Sequence, residues 1–229
     1  MSELTIPPVR LEGRLDEGLS RGLWLVKWLL AIPHYVVLAF LFVAFFGVTL
    51  VAFFAILFTG RYPRGLFDFN VGVLRWAWRV GYYSYAALGT DRYPPFSLAA
   101  HESYPATLEI DYPERLSNGL VVVKWLLIFP HALILGVLLG STTSYANGTV
   151  VVRNPGFISV LVLIAAVGLL FTGRYLAGLF DLVLGLNRWV LRVAAYLFLM
   201  TDAYPPFRLD QGGVEPRPAA PAAPAAPAA

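Results

Sequence analysis

Cysteine is absent from the 229 residues. Disulfides, thiolate zinc sites and cysteine nucleophiles are thereby excluded, and cysteine usage says nothing of redox compartment. Charge is scarce as well: 14% of the residues are Asp, Glu, Lys or Arg, against roughly a quarter in an average soluble domain. The motifs of soluble chemistry are missing too. There is no Walker loop, dinucleotide glycine fingerprint, Gly-x-Ser-x-Gly or helix-borne His pair, and no basic nucleic-acid surface. Residues 1–20 are polar, with Glu3, Glu12, Asp16 and Glu17. They lack the apolar stretch of a cleavable signal peptide, so the first long hydrophobic run is expected to act as the insertion signal.

What is present is apolar. The chain is 58% hydrophobic and 15% aromatic, with a mean hydropathy of +0.67. That composition is expected of an integral membrane protein. The formal charge of +3 is small, so the placement of charge carries more information than its sum.

The chain repeats itself. Val26-Lys27-Trp28-Leu29-Leu30 with Pro33-His34 returns as Val123-Lys124-Trp125-Leu126-Leu127 with Pro130-His131. Phe58-Thr59-Gly60-Arg61-Tyr62 and Gly65-Leu66-Phe67-Asp68 return as Phe171-Thr172-Gly173-Arg174-Tyr175 and Gly178-Leu179-Phe180-Asp181. Arg75-Trp76, Arg79 and Tyr83 return as Arg188-Trp189, Arg192 and Tyr196, and Tyr93-Pro94-Pro95-Phe96 as Tyr204-Pro205-Pro206-Phe207. Whatever explains one copy must explain the other.

Residues 22–58 form an apolar run of 37 residues, too long for one span of about 20. In the second copy the run is interrupted by Ser141-Thr142-Thr143-Ser144-Tyr145-Ala146-Asn147-Gly148, and the repeat offset is 97 before this loop and 113 after it, an insertion of 16 residues in all. Polar backbone facing lipid loses its hydrogen bonds, so the insertion is expected outside the bilayer. Residues 119–140 and 155–171 are then two arms of a transmembrane helical hairpin. By repetition the first copy is a hairpin with a tight turn near residues 43–49. The alternative lays residues 22–32 flat and spans with residues 34–58.

Residues 65–88 and 178–200 follow. Asp68, Gly72, Arg75 and Arg79 share one helix face, as do Asp181, Gly185, Arg188 and Arg192. A charged stripe on an aromatic helix suits an interfacial amphipathic helix, because arginines at mid-bilayer cost ~2.5–3.5 kcal/mol each. A further span is the second reading, since arginine can snorkel. Of the 17 Lys and Arg residues, only Arg153 then falls in a hairpin tip. The rest, with all 14 acids, share the opposite face, which the positive-inside rule makes cytoplasmic. Val9 and Leu11 alternate with Arg10 and Glu12, and Leu108 and Ile110 with Glu109 and Asp111. With Phe96-Ser97-Leu98 and Phe207-Arg208-Leu209, these predict short extended segments and a small sheet beneath the membrane.

The fold expected is therefore an all-α integral membrane protein of two tandem repeats, each a transmembrane helical hairpin plus an amphipathic interfacial helix, with short extended cytoplasmic segments. Its parts are an N-terminal segment (1–18), repeat 1 (19–98), a connector (99–115), repeat 2 (116–209) and a Pro/Ala-rich tail (210–229) that cannot bury a core. The motifs Ile32-Pro33-His34, Phe58 to Asp68, Arg75-Trp76 and Thr90-Asp91-Arg92-Tyr93-Pro94-Pro95-Phe96 resemble the bacterial membrane-protein family catalogued as domain of unknown function 4389, in two tandem copies. Leu176-Ala177 departs from the Pro63-Arg64 of the first copy. The resemblance implies a bacterial membrane protein and carries no activity.

Candidate site residues follow from charge in an apolar chain. Arg75 and Arg79, like Arg188 and Arg192, are four apart and repel one another. A lipid phosphate between them fits, as does an ion pair with Asp68 or Asp91 or with Asp181 and its companions. The plainer reading anchors the arginines at headgroup depth, with Asp68 favoured by the positive helix end. Lys27 and His34, and Lys124 and His131, read as an interfacial belt with tryptophan. Thr90-Asp91 and Thr201-Asp202 read as helix stops ahead of proline. Asn147-Gly148-Thr149 matches a glycosylation sequon by accident.

No catalytic residue, metal site or cofactor is expected. The expected partners are the bilayer, anionic phospholipid and another membrane protein, without nucleic acid. The expected role is that of a non-enzymatic scaffold or accessory subunit in the bacterial inner membrane, multi-pass with both termini cytoplasmic. Anionic-lipid binding is the alternative, a small-solute transporter stands third and an enzyme last.

Overall fold

A computed structural model describes residues 7–143 and 152–210. The sequon, the segment before Pro7 and the Pro/Ala tail beyond Asp210 lie outside the described residues. Six helices and four short strands follow in the order β1 (Val9–Gly13), α1 (Trp24–Thr59), α2 (Arg64–Tyr83), β2 (Ala106–Ile110), α3 (Leu120–Leu127), α4 (Phe129–Leu139), β3 (Gly140–Thr143), β4 (Val152–Pro155), α5 (Phe157–Thr172) and α6 (Ala177–Leu197).

The first apolar run is one unbroken helix of 36 residues, so the tight turn expected near residues 43–49 does not form. That stretch offers one glycine and no proline. Its only polar side chain, Thr49, donates back to the Phe45 carbonyl at 2.8 Å. An apolar backbone without turn chemistry keeps its hydrogen bonds by remaining helical. α1 ends where Gly60 takes a left-handed φ of 67° and its N–H reaches the Ile56 carbonyl. Lys27, Ala31, His34, Leu38, Phe45, Ala52 and Ile56 are buried; their spacing traces one narrow stripe along the helix. The other faces stay open, with Phe40 and Val43 each 73% exposed.

The second run is broken. α3 and α4 meet at a 47° bend just before Phe129-Pro130, whereas Pro33 lies inside α1. β3 and β4 pair antiparallel from Gly140↔Pro155, and Gly156 lies against the α4 end, where a Cβ would stand 2.3 Å from the Leu139 carbonyl carbon. The strands therefore leave and rejoin the helical path at one place. Lys124 contacts Thr201 and His131 contacts Trp189, so α3 and α4 run antiparallel to α6. α5 packs on α6 through a short turn at residues 173–176, which makes it antiparallel too. The insertion is thus an excursion from one helical path. It is not the tip of a hairpin with opposed helical arms.

α2 and α6, expected as interfacial amphipathic helices, are packed inside the protein. Their stripes are covered by β1 and β2, and their other faces by α1 and by α3–α5. Val73, Val80 and Tyr82 of α2, and Val183, Val193 and Ala195 of α6, are 0% exposed. After each helix comes a left-handed leucine, Leu88 (φ 54°) and Leu199 (φ 65°). It turns the chain back toward the start of α1 or α3.

β1 and β2 form an antiparallel ribbon centred on Leu11↔Leu108. Val9, Leu11 and Leu108 are buried, while Arg10 binds Asp111 (2.5 Å) and Glu109 (3.3 Å). Hydrogen bonding to Asp111 holds the Arg10 guanidinium above its usual range, against the opposing cost of burial. Residues 96–98 and 207–209 are not strands; the Ser97 and Leu98 carbonyls serve arginines instead of a neighbouring strand.

The Tyr82 ring is wedged between two glycines. A Cβ at Gly13 or Gly89 would stand 2.5 Å or 2.3 Å from ring carbons, and the Tyr82 hydroxyl donates to the Arg14 carbonyl at 2.6 Å. Gly89→Ala is expected to lower stability by ~1–3 kcal/mol, measured as a fall in the thermal unfolding midpoint in detergent. An unchanged midpoint would contradict this packing.

Candidate functional site

The polar side chains that sequence reasoning placed at the membrane interface turn inward. Lys27, on the first turns of α1, is 1% exposed. Its Nζ donates to the Thr90 carbonyl at 2.6 Å, lies 2.8 Å from Asp91 Oδ1 and stands 4.8 Å from the Tyr83 ring centroid. The other Asp91 oxygen accepts the Ser20 N–H at 2.6 Å. One carboxylate thus holds both the chain entering α1 and the first buried cation of that helix.

The second half repeats the arrangement. Lys124 is 2% exposed, donates to the Thr201 carbonyl at 2.8 Å, lies 2.7 Å from Asp202 Oδ1 and stands 5.0 Å from the Tyr196 ring. Asp202 Oδ2 accepts the Ser117 N–H at 2.7 Å. A buried ammonium needs such a set, since an unpaired charge in an apolar setting costs several kcal/mol.

His34 and His131 are each 0% exposed. Trp76 Nε1 donates to His34 Nδ1 at 3.1 Å, and Trp189 Nε1 to His131 Nδ1 at 3.1 Å. A neutral ring accepting at Nδ1 carries its proton on Nε2. His34 stacks on Phe96 (centroids 3.9 Å, 17°), and His131 on Phe207 (4.1 Å, 9°). Tyr93 hydroxyl donates to the Leu30 carbonyl and Tyr204 hydroxyl to the Leu127 carbonyl, both at 3.1 Å. The Tyr-Pro-Pro-Phe motif is therefore a clasp that lays the chain after α2 or α6 across the histidine.

The arginines bind the protein's own groups: three meet backbone carbonyls and the fourth a carboxylate. Arg75 Nε donates to the Leu108 carbonyl (3.1 Å) and Nη1 to that of Leu98 (3.4 Å). Arg79 donates to the carbonyls of Ala99 (3.0 Å) and Ser97. Arg188 donates to the carbonyls of Leu11 (2.9 Å) and Asp210 (3.1 Å), and Arg192 meets the Asp210 carboxylate at 2.5 Å. At Asp210 burial works against ionisation, but Arg192 and Arg208 prevail and hold the carboxyl below its ordinary range. Its contribution is complete above that range and fades as pH falls through the depressed value.

Asp68 and Asp181 do not join the stripe. Asp68 makes an exposed pair with Arg64 at 3.3 Å. Half-buried Asp181 has alanine, Ala177, at the position matching Arg64. Asp91 pairs with lysine instead of arginine. Sequence reasoning missed the Lys–Asp pairs, the Trp–His pairs and Asp210. The available signal was joint recurrence: Lys27 with Asp91 and His34 with Trp76 each return as a complete set. Among the described residues no cluster of three metal-ligand side chains occurs.

The sequence profile of the family described as domain of unknown function (DUF4389) matches residues 21–97 and 156–208, and the chain belongs to that family. The two matched segments are consistent with two copies. No curated protein and no solved structure matches the chain.

The two partners of the buried pair should respond unequally to mutation. Asp91→Ala leaves an ammonium with only a carbonyl and is expected to cost ~2–4 kcal/mol, moderated because Asp91 is 29% exposed. Lys27→Met removes the charge while filling similar space and should stay within about 1 kcal/mol of wild type. Detergent-based chemical unfolding of both variants decides it; equal losses would contradict the account.

Proposed function

We propose that this family member is an integral membrane protein with a non-enzymatic role, a scaffold or accessory subunit whose apolar helical layer lies in lipid while the β1–β2 ribbon faces water. The observation that carries the reading is the division of surface on α1 and α3–α5. Their charge-bearing side chains, Lys27, His34, Lys124 and His131, are buried. Their outward residues are large and apolar, including Phe46 at 57%, Leu50 at 60%, Trp125 at 67% and Val137 at 68% exposure. α1 is also long and apolar enough to cross a membrane, and most of its apolar length is not buried within the protein. Lipid or partner helices are what normally cover apolar surface of this extent.

The ties of α1 support an arrangement with its ends on one side. Its first turns are held by Thr90 and Asp91, and Thr90 binds Asp16, three residues beyond β1. At the far end the Leu116 N–H donates to the Gly60 carbonyl (2.8 Å), Asn118 to that of Leu57 (2.8 Å) and the Tyr112 hydroxyl to that of Tyr62 (2.6 Å). Tyr112 and Leu116 follow closely on β2. A helix of roughly 54 Å exceeds the ~30 Å hydrocarbon core. On this reading α1 enters and leaves on the ribbon side and lies within the bilayer, in place of two short spans with a tight tip. The positive-inside rule then makes the ribbon side cytoplasmic in a bacterial inner membrane. General lipid-phosphate binding by both arginine stripes has less support, since those guanidiniums serve the ribbon, the flanking carbonyls and Asp210.

Without natural cysteines, single probes are clean. Ser20→Cys and Arg61→Cys, both at exposed positions flanking α1, should react with an impermeant maleimide from the same side of sealed vesicles. Labelling from opposite sides would contradict the topology. The scaffold role predicts stable co-purification with another membrane protein after gentle extraction; solitary behaviour would count against it.

A further inference from the structure

The two arginine stripes match, yet the segments beside them differ at two positions, Ser97 against Arg208 and Ala99 against Asp210. In the second half the chain passes α6 as Phe207-Arg208-Leu209-Asp210, and the Asp210 carboxylate lies 2.5 Å from Arg192 and 3.1 Å from Arg208. In the first half the corresponding stretch is Phe96-Ser97-Leu98-Ala99. The Ala99 carbonyl still meets Arg79, but the carboxylate has gone. Among the described residues, no carboxylate comes within ion-pair distance of Arg75 or Arg79. Arg79 is 1% exposed, and its Nε is buried without a hydrogen-bond partner. Arg75 is one turn away, so two like charges stand together without an ion-pair partner, offset by carbonyl dipoles and, from further off, by Glu109 and Asp68 acting on Arg75. A cavity of about 550 Å³ opens beside them, with Arg14, Arg75 and Arg79 among its lining residues.

We propose that this cavity binds a compact anionic group, a carboxylate or a phosphate, against Arg75 and Arg79, in the place that the second half fills with Asp210. The chain supplies the precedent itself: the same helix face, flanked by the same extended segment, takes a carboxylate when one is encoded. Arginine suits either oxyanion because its planar fork donates two parallel hydrogen bonds. The wall also carries Glu12, Glu102 and Glu109, of which Glu109 is paired with Arg10. That acidic surround disfavours polyanions and favours a singly charged group. The source is either a lipid headgroup or a soluble molecule, and the proposal stands independently of the scaffold reading.

The test uses the full chain, with unfolding followed by tryptophan fluorescence. One arm titrates sodium phosphate and sodium acetate in nonionic detergent at constant ionic strength. The other compares nanodiscs of phosphatidylcholine with and without phosphatidylglycerol. Saturable stabilisation is expected in at least one arm. A response to phosphate or acetate assigns a soluble source, and a response to phosphatidylglycerol alone assigns a headgroup. Ala99→Asp, at an exposed position, installs the missing carboxylate. It should unfold at higher temperature than wild type and weaken the response by about tenfold or more. Asp210→Ala should add a second responsive site. Should Ala99→Asp fail to fold, Arg79→Gln carries the same expected loss of response. No saturable response in either arm, or an undiminished response in these variants, overturns the proposal.

Discussion

Arg75 and Arg188 each reach across to the strand that precedes the other half. Arg75 of α2 donates to the Leu108 carbonyl of β2, and Arg188 of α6 to the Leu11 carbonyl of β1. Leu11 and Leu108 are partners at the centre of the ribbon. The strands therefore pair with each other and are also pinned from below by guanidiniums exchanged between the halves. Neither core helix can move away from the ribbon without stranding a buried cation, and that constraint is stronger than any single apolar contact.

The remaining polar groups obey the same rule. A largely apolar interior holds little water to satisfy buried donors, so the backbone must do it. Lys27 and Lys124 find Thr90 and Thr201 carbonyls, Arg79 finds Ser97 and Ala99, and the histidines find tryptophan N–H groups. The segments after α2 and α6 are irregular because their carbonyls are consumed in this way. What the halves do not share, the Arg64–Asp68 pair and the Asp210 carboxylate, marks where their surfaces differ.

The duplicated motifs, the helical runs, the ribbon at Val9–Gly13 and Ala106–Ile110 and the location of the insertion were legible in the sequence, because periodicity and repetition are local signals. The continuity of α1 was not. Length alone argued for two spans, whereas a stretch with a single glycine and no proline, Asn or Asp across 43–49 favoured one helix. The inward direction of Lys27 and His34 was equally hidden, because lysine and tryptophan in an apolar run suit an interfacial belt as well as a buried stripe. Only the distant Asp91, Thr90 and Trp76 decide between the two. The arginines were read as one face, but Asp68 and Asp181 do not join them; besides Asp210 they bind main-chain carbonyls, which carry no sequence signature.

The chain contains two lysines, Lys27 and Lys124, which permits a direct test of inward-facing charge. The protein in native membranes or nanodiscs is treated with a small membrane-permeant amine-acylating reagent, and modification is located by mass spectrometry before and after denaturation. Both lysines should remain unmodified in the native protein, and both should react once the chain is unfolded. Rapid acylation of Lys27 and Lys124 in the native protein would place them at the headgroup surface and contradict the account.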